Sequence, residues 1–242
     1  MRVAVAGATG RTGGEVAREA AKRGHEVVSL SRTPEGDQHD IADLPAVLAE
    51  ADALVDFTVP EATVEHAAAA ADAGVPLVVG TTGFDEDGLA ALRTAAEQTP
   101  VLKASNFAKG VQALRRVVRA GVAALPDYDV EVTETHHSGK RDAPSGTALT
   151  LLEDIEETRS DALERTYGRE GTHERAPEEI GVHVRRAGTV RGEHEVLLAG
   201  DDEVLTLTHR AESRRVFAAG AVDAAEQLAG RDPGFYDFSE VL

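Results

Sequence analysis

The sequence predicts an α/β protein of two domains, in which a parallel sheet covered by helices is followed by a smaller α+β domain with a mixed or antiparallel sheet. Two observations carry this prediction. Over about the first hundred residues, short β-branched runs alternate with alanine-rich helical stretches. Beyond them, a long helix and several consecutive strands replace the alternation. Strand–helix alternation is typical of a parallel sheet, and a run of strands is typical of a separate α+β domain.

Apolar periodicity and helix-ending glycines predict each element in turn. In the first domain the predicted strands are 2–6, 26–30, 53–57, 77–79 and 101–104, and the predicted helices are 13–23, 43–50, 61–73 and 85–97. In the second, helices are predicted over 108–124 and 145–158, strands over 128–135, 180–186, 193–198 and 204–209, and an irregular stretch over 159–179. A closing helix is predicted over 213–228. We therefore expect a dinucleotide-binding domain at 1–107 with 214–242, and a substrate-binding and oligomerisation domain at 108–213.

The charge balance excludes several classes of partner. The chain has 43 acidic against 25 Lys and Arg residues, a net charge of −18. Because such a field repels phosphate backbones and anionic lipid, we expect no nucleic-acid or membrane partner. No apolar run approaches the roughly 18 residues of a membrane helix, and the N-terminal run is too short for a signal peptide, so we expect a cytoplasmic protein. The acidity predicts adaptation to high salt, with an ordinary acidic protein as the alternative.

Cysteine is absent from the sequence. Disulfides, thiolate catalysis and cysteine-based metal sites are therefore excluded.

A glycine loop, Gly7-Ala8-Thr9-Gly10-Arg11-Thr12-Gly13, follows the first strand and opens the first helix. Glycines allow a tight turn and close backbone approach, and a helix N-terminus offers free N–H groups to a pyrophosphate. The loop therefore predicts a Rossmann-type dinucleotide site. Its GxxGxxG spacing departs from GxGxxG, and a glycine turn used only for packing is the alternative.

Three more loops lie at carboxyl ends of predicted parallel strands, where open α/β sheets bind ligands. The first, Ser31-Arg32-Thr33, has no carboxylate for a ribose 2′-hydroxyl, and an arginine beside hydroxyls suits a 2′-phosphate. We therefore predict that NADPH serves at least as well as NADH, unless Arg32 is merely solvated. The others are 56–60, with Phe57, and 80–83, with Gly80, Thr81 and Thr82. The alternative for 80–83 is a strand-to-helix turn with a threonine N-cap.

The segment 134–147 predicts the chemistry. Residues 136–147 hold His136, His137, Lys140 and Arg141 against a single acidic residue, in a chain that is otherwise strongly acidic. Such a cationic segment predicts an anionic ligand. Ser145-Gly146-Thr147 opens a predicted helix and offers hydroxyls and N–H groups to a carboxylate. Histidine titrates near neutrality and can act as a general acid, and lysine can pair with a carboxylate or donate a proton.

The segment 134–147 also has three other interpretations: a metal site, a solvated loop and a serine nucleophile. Adjacent His136 and His137 point to opposite faces of a strand, so they are poor joint ligands, and we predict no metal site. A solvated loop without function stays open. The sequence gives little support to Ser145 as a nucleophile, because no nucleophile-elbow pattern surrounds it. Capping the following helix is its expected structural role.

The chain resembles the 4-hydroxy-tetrahydrodipicolinate reductase (dihydrodipicolinate reductase) family along nearly its whole length. The most specific motif is the run from Glu134 through His136-His137 and Lys140 to Asp142-Ala143-Pro144-Ser145-Gly146-Thr147. The other matching segments are Gly7–Gly13, Asp56-Phe57-Thr58 with Pro60, Gly80–Phe84, Ser105-Asn106-Phe107, Ile180-Gly181, Arg191–His194, Thr208–Ala211 and Phe217–Ala221.

The resemblance implies roles for single residues. His136 matches the proton donor and Lys140 the lysine that assists it, while His137, Ser145, Gly146 and Thr147 match positions that hold two substrate carboxylates. The resemblance implies NADPH or NADH as cofactor, with contacts at Gly7, Gly10, Arg11, Thr12, Gly80, Thr82 and Phe107. We also expect cofactor contacts at four residues of the neighbouring loops: Arg32, Phe57, Thr81 and Ser105. The resemblance also implies a homotetramer built through the sheet of the second domain.

The implied reaction is NAD(P)H-dependent reduction of 4-hydroxy-tetrahydrodipicolinate to tetrahydrodipicolinate, in lysine and diaminopimelate biosynthesis. Two alternatives stay open. One is a non-catalytic NAD(P)-binding redox sensor, since the glycine loop also looks like that of NmrA-like proteins. The other is a dehydrogenase of a different small carboxylate. Fold alone does not decide between them.

Overall fold

A computed structural model describes residues 1–159 and 163–241. The chain divides into two compact units. The first comprises Met1–Lys109 and Arg214–Leu242, and the second comprises Gly110–Ser213. No helix of the described residues has the length and apolar character to cross a membrane.

Strands and helices alternate along the first unit. Its strands are β1 (Arg2–Ala6), β2 (Glu26–Ser31), β3 (His39–Asp40), β4 (Ala53–Asp56), β5 (Leu77–Val79), β6 (Pro100–Lys103) and β12 (Gly234–Tyr236). Its helices are α1 (Gly13–Lys22), α2 (Leu44–Leu48), α3 (Pro60–Ala73), α4 (Glu86–Ala95) and α7 (Arg215–Leu228). Short 3-10 helices cover Ile41–Asp43 and Phe238–Glu240.

The strands of the first unit form one parallel sheet in the order β12-β6-β5-β4-β1-β2-β3. The predicted parallel sheet is therefore confirmed. The two edge strands, β3 and β12, were not predicted, because two and three residues are too few to show a periodic pattern. The carboxyl ends of β1, β2, β4 and β5 share one edge and carry the loops predicted to bind the cofactor.

Helices cover both faces of this sheet, as the side chains that alternate between the two faces of β1 show. Val3 and Val5 face a buried cluster that includes Val16 of α1 and Ala221 of α7. The alternate residues of β1 face a second cluster built from α2, α3 and α4. Because both faces are buried, the strands read as continuous apolar runs rather than as alternating ones.

The second unit has helices on one face of a mixed sheet. Its helices are α5 (Lys109–Ala124) and α6 (Gly146–Thr158), and its strands are β7 (Asp129–His136), β8 (Glu164–Tyr167), β9 (Glu179–Arg186), β10 (Glu193–Ala199) and β11 (Val204–Arg210). Val130 and Val132 of β7 pack with apolar residues of both helices. The alternate residues, Glu131 and Thr133, lie on the opposite face, which we call the open face.

The second sheet is mixed, as the predicted mixed or antiparallel sheet allows, and one local prediction for this unit was wrong. The strands β9 and β10 are consecutive in sequence but are not neighbours, since the order is β11-β10-β7-β9-β8. The chain crosses over through α6 between β7 and β9, so these two strands pair parallel, while β10 pairs antiparallel with β7 and β11. Within the predicted irregular stretch 159–179, residues 164–167 form β8, a charged edge strand without apolar alternation. Residues 160–162 of that stretch lie outside the described residues.

Candidate functional site

The glycine loop after β1 folds as a tight turn whose geometry requires glycine. Gly7 has a φ of 80°, and a Cβ on it would lie 2.5 Å from the Phe57 carbonyl oxygen. A Cβ on Gly13 would lie 2.3 Å from the Gly7 carbonyl oxygen. The Gly10 N–H donates to that same oxygen at 2.8 Å. The glycines therefore allow close backbone packing, and the same turn leaves the loop's outer residues exposed.

A cleft of about 740 Å³ lies beside this loop within the first unit. Four of the predicted cofactor residues line it: Gly7, Gly10, Arg32 and Phe57. Arg32 is exposed and forms no ion pair with the residues that the structure describes. The Ser31 hydroxyl lies 3.0 Å from the Thr9 hydroxyl, so β2 and the glycine loop are joined at the edge of the cleft.

The other predicted cofactor residues lie around this cleft without lining it. Arg11 and Thr82 are exposed, and Thr12 is the residue before α1. A Cβ on Gly80 would lie 2.1 Å from the Phe57 ring, so Gly80 makes room for that ring. Ser105 is exposed, whereas Phe107 is 2% exposed and packs against Phe57 with ring centroids 5.8 Å apart. Phe107 thus lies in the core and packs behind Phe57, which lines the cleft.

A buried carboxylate, which sequence reasoning missed, anchors the loops at the ends of β4 and β5. Asp56 is fully buried, and its Oδ1 accepts from the Thr58 N–H and from the hydroxyls of Thr58, Thr63 and Thr81 at 2.7–3.0 Å. Its Oδ2 accepts from His66 Nδ1 at 2.6 Å. Thr81 therefore holds the loop rather than capping α4, whose N-cap is Asp85. The motif Asp56-x-Thr58 was visible in the sequence, but its partners on α3 and beyond β5 were not.

The predicted catalytic segment lies within the second unit, at the end of β7. Glu134 and His136 are two residues apart and therefore project from the same face of the strand. Glu134 is 1% exposed, and its Oε2 accepts from His136 Nδ1 at 2.5 Å. Arg186 of β9 donates to both carboxylate oxygens of Glu134 at 2.8 Å. The Ser145 N–H donates to Oε1 at 3.0 Å. One buried carboxylate thus joins the predicted proton donor to the helix start.

These contacts keep Glu134 ionised. Burial raises the pKa of its carboxyl, but the hydrogen bonds from His136 and Arg186 outweigh burial and lower that pKa to about 2. With Nδ1 held by the carboxylate, His136 presents Nε2 as its free ring nitrogen, the arrangement found in proton-transferring histidines. A Cβ on Gly192 would lie 3.1 Å from Nε2, so glycine keeps that side open.

The loop after β7 is held by backbone bonds. The His136 carbonyl accepts from the Ala187 N–H at 2.9 Å, and the Ser138 N–H donates to the Gly188 carbonyl at 3.2 Å. The Lys140 N–H donates to the His137 carbonyl at 3.1 Å, which turns the chain. Lys140 Nζ pairs with Asp142 at 2.8 Å, and its side chain is 22% exposed. His137 is half-buried beside it.

The helix start of α6 completes the group. Ser145 is the N-cap, as predicted: its hydroxyl accepts from the Ala148 N–H at 3.3 Å. Gly146 and Thr147 follow as the first residues of the helix, and Thr147 is buried. The structure therefore places the predicted proton donor, the lysine and the predicted carboxylate-binding residues on one strand, one loop and one helix start of the same unit.

From the sequence, no role was predicted for three further residues of this group, Glu134, Arg186 and His194, although Glu134 and His194 stand in segments that match the family. His194 lies on β10 as the register partner of Glu134. Its Nε2 lies 3.1 Å from the Ser145 hydroxyl, and its ring meets the His136 ring edge-on at 5.2 Å between centroids. The i, i+2 spacing of Glu134 and His136 was a usable signal. The contacts of Arg186 and His194 had no local signal, since strand pairing brings both residues there.

Comparisons with known proteins agree along the whole chain. Residues 1–107 match the family model described as dihydrodipicolinate reductase, N-terminus, and residues 110–242 match the C-terminus model. A 4-hydroxy-tetrahydrodipicolinate reductase from Natronomonas pharaonis is 68% identical, with all of both chains covered. The one from Haloarcula marismortui is 53% identical, covering all of this chain and 98% of its own.

A solved structure shows the same fold. The dipicolinate-bound dihydrodipicolinate reductase from Paenisporosarcina sp. TG-14 is 24% identical, with a TM-score of 0.78 over 100% of this chain and 99% of that one. The two family models together cover nearly every residue of the chain. The chain belongs to the dihydrodipicolinate reductase family.

Proposed function

We propose that this protein is an NAD(P)H-dependent reductase that converts 4-hydroxy-tetrahydrodipicolinate to tetrahydrodipicolinate in lysine and diaminopimelate biosynthesis. The observation that carries the proposal is the group in the second unit, where Glu134 holds His136 and Ser145 while Lys140 lies in the intervening loop. A non-catalytic sensor needs no such group. The family to which the chain belongs also favours the reductase.

The cleft of the first unit fits a dinucleotide. A glycine turn at a helix start suits a pyrophosphate, and the volume of about 740 Å³ accommodates a large ligand. We assign cofactor binding to residues 1–107 with 214–242, through the predicted residues of the glycine loop and of the loops after β2, β4, β5 and β6. When bound, NAD(P)H supplies the hydride. The protein's part is to hold it: Phe57, backed by Gly80 and Phe107, walls one side of the cleft.

We assign substrate binding and proton transfer to residues 108–213. The substrate class, a cyclic imine with two carboxylates, needs cationic and N–H groups, which Lys140, His137 and the Ser145–Thr147 helix start provide. After hydride transfer the ring carbon needs a proton. His136 donates it from Nε2, because Glu134 binds Nδ1 and fixes the orientation of the ring. Lys140 assists by its charge.

The direct test is a turnover assay with the purified protein. NADPH oxidation is followed by loss of its near-UV absorbance, with the condensation product of pyruvate and aspartate semialdehyde as substrate. The proposal expects steady oxidation that depends on this substrate. Tight NADPH binding without oxidation would instead support the sensor, and oxidation only with another carboxylate would support the second alternative.

The proposal includes use of NADPH at least as well as NADH. Arg32 lines the cleft, and the adjacent Ser31 and Thr33 offer no carboxylate to a ribose hydroxyl. Arg32→Ala should lower kcat/KM for NADPH by about tenfold while changing that for NADH less than threefold, since one charge-assisted contact contributes roughly this much. A wild-type kcat/KM about tenfold higher with NADH, equivalent to about 1.4 kcal/mol, would contradict it.

We also propose a cytoplasmic homotetramer. The open face of the second sheet carries partly buried and exposed residues such as Leu197 of β10 and Val204 of β11 without a covering helix from this unit. Light scattering should give four times the 25.5 kDa chain mass. Leu197→Glu should lower that mass, because it places a charge in the middle of the face. A monomer in the wild type would contradict the proposal.

Adaptation to salt follows from the charge. With a net charge of −18, screening relieves self-repulsion, so activity and stability should rise with KCl toward the molar range. Among the relatives, one comes from Halorhodospira halophila, at 46% identity. Full stability and activity in dilute buffer would contradict this part of the proposal.

A further inference from the structure

Within the second unit, a histidine without an assigned role touches both parts of the proposed substrate site. His194 is 2% exposed and lies on β10 between β7 and β11. Its Nε2 meets the Ser145 hydroxyl at 3.1 Å, and its ring packs edge-on against His136. Its Nδ1 is buried without a hydrogen-bond partner among the described residues. A buried, half-satisfied imidazole in this place needs an explanation.

The unpaired Nδ1 decides which nitrogen carries the proton. If the proton were on Nδ1, a buried N–H would lack an acceptor, which is the rarer kind of unsatisfied group. With the proton on Nε2, Nδ1 is a bare lone pair and Nε2–H donates to the Ser145 oxygen. Burial, followed by the charge of His136, lowers the pKa of His194 to about 3. His209 and Lys140 lower it further and Glu134 raises it, so the ring is neutral at physiological pH.

This assignment fixes the Ser145 hydroxyl. A hydroxyl oxygen accepts two hydrogen bonds and donates one. The Ser145 oxygen accepts from the Ala148 N–H at 3.3 Å and from His194 Nε2–H at 3.1 Å, so both lone pairs are used. The remaining proton forms no further hydrogen bond with the described residues. The hydroxyl can therefore act toward a ligand only as a donor, which is the role that a carboxylate requires.

We propose that His194 is a positioning residue for the reaction, a neutral hydrogen-bond donor that fixes the Ser145 hydroxyl as a donor to a substrate carboxylate. The inference rests on the proposed function, in which Ser145 binds a carboxylate. It goes further because it assigns His194 to binding rather than to proton transfer. The edge-on contact with His136 is a second, separable role in packing.

Two substitutions separate these roles. His194→Phe keeps an aromatic ring beside His136 and removes the donor to Ser145. His194→Gln keeps an N–H close to the position of Nε2 and removes the ring. The substrate KM should rise about fivefold to tenfold in His194→Phe and less than twofold in His194→Gln, since one hydrogen bond is lost only in the first. The KM for NADPH should stay unchanged in both.

A double-mutant cycle gives the sharpest test. Ser145→Ala alone should raise the substrate KM at least as much as His194→Phe, and adding His194→Phe to Ser145→Ala should change it less than twofold, because the two act through one hydroxyl. Additive effects, or an unchanged KM in His194→Phe, would overturn the inference. Thermal unfolding checks that each variant is folded. If wild-type enzyme fails to turn over the substrate, the proposed function itself fails, which is a different result.

Discussion

Strand β7 carries a Glu–His–Arg cluster on each of its two faces, and the two clusters differ in what surrounds them. On the helix-covered face, Glu134 binds His136 and Arg186. On the open face, Glu131 accepts from His183 at 2.6 Å and from both terminal nitrogens of Arg169 at 3.0 Å. In both clusters, hydrogen bonds outweigh burial and lower the pKa of the carboxyl.

The difference lies in which histidine nitrogen is held. Glu131 binds Nε2 of His183, so the other ring nitrogen is Nδ1, the one next to the backbone. Glu134 binds Nδ1 of His136 and leaves Nε2 for a ligand. Glu134 also binds the start of α6 through Ser145, and the loop with Lys140 lies between them. The same three residue types therefore make an ion cluster on one face and, on the other, the group that we propose for proton transfer.

The largest expected effect is that of substituting Lys140, which lies in the loop that follows Glu134 and His136 on β7. Lys140→Ala should lower kcat by about 10²–10⁴, the range usual for a group that assists a positioned proton donor. The matched control is Lys109→Ala, which removes an exposed lysine paired with Asp223 at 2.9 Å in the first unit. Steady-state kinetics at saturating NADPH would measure kcat of both variants. Near-normal turnover in Lys140→Ala would remove this lysine from the mechanism.

A smaller effect separates the two glutamates. Glu134→Gln removes the carboxylate that holds Nδ1 of His136 and pairs with Arg186, so His136 loses the charged partner that orients its ring. We expect kcat near pH 7.5 to fall about 10- to 100-fold. Glu131→Gln makes the same change on the other face and should change kcat less than threefold. Equal effects of the two substitutions would break the comparison.

The smallest effect is on stability at mildly acid pH. The folded-state pKa of His194, about 3, lies below its ordinary value of 6.5, so the unfolded chain binds more protons in between and stability falls as the pH drops through that window. Glu134 adds to this loss of stability only below pH 4.5, which is the ordinary pKa of its carboxyl. Between pH 6.5 and 5.5, His194 should contribute about 1 kcal/mol of lost stability. Denaturant unfolding at constant salt should show this loss in wild type and less of it in His194→Gln.

The sequence was enough to predict the parallel sheet and the contiguous part of the site. The apolar runs identified β1, β2, β4, β5 and β6, and the short segment 134–147 contained the predicted catalytic residues His136 and Lys140. The comparisons confirm the family and the reductase that this segment indicated. The N-cap role of Ser145 followed from a local pattern, as caps do.

The rest depended on pairing between distant segments. Arg186 and His194 reach Glu134 because β9 and β10 both pair with β7, and the sequence did not predict this strand order. The Asp56–His66 bond likewise joins the end of β4 to the middle of α3. Strand order is a property of the whole chain, so no single segment contains the signal for these contacts.

The central claim is that the contact with Glu134 makes His136 the proton donor, while the similar His183 on the open face has no part in the chemistry. The most direct measurement is kcat per subunit of His136→Ala and His183→Ala, side by side, with saturating substrate and NADPH. The account predicts a loss of about 10²–10⁴ in His136→Ala and less than threefold in His183→Ala. Comparable losses in both, or near-normal turnover in His136→Ala, would contradict it.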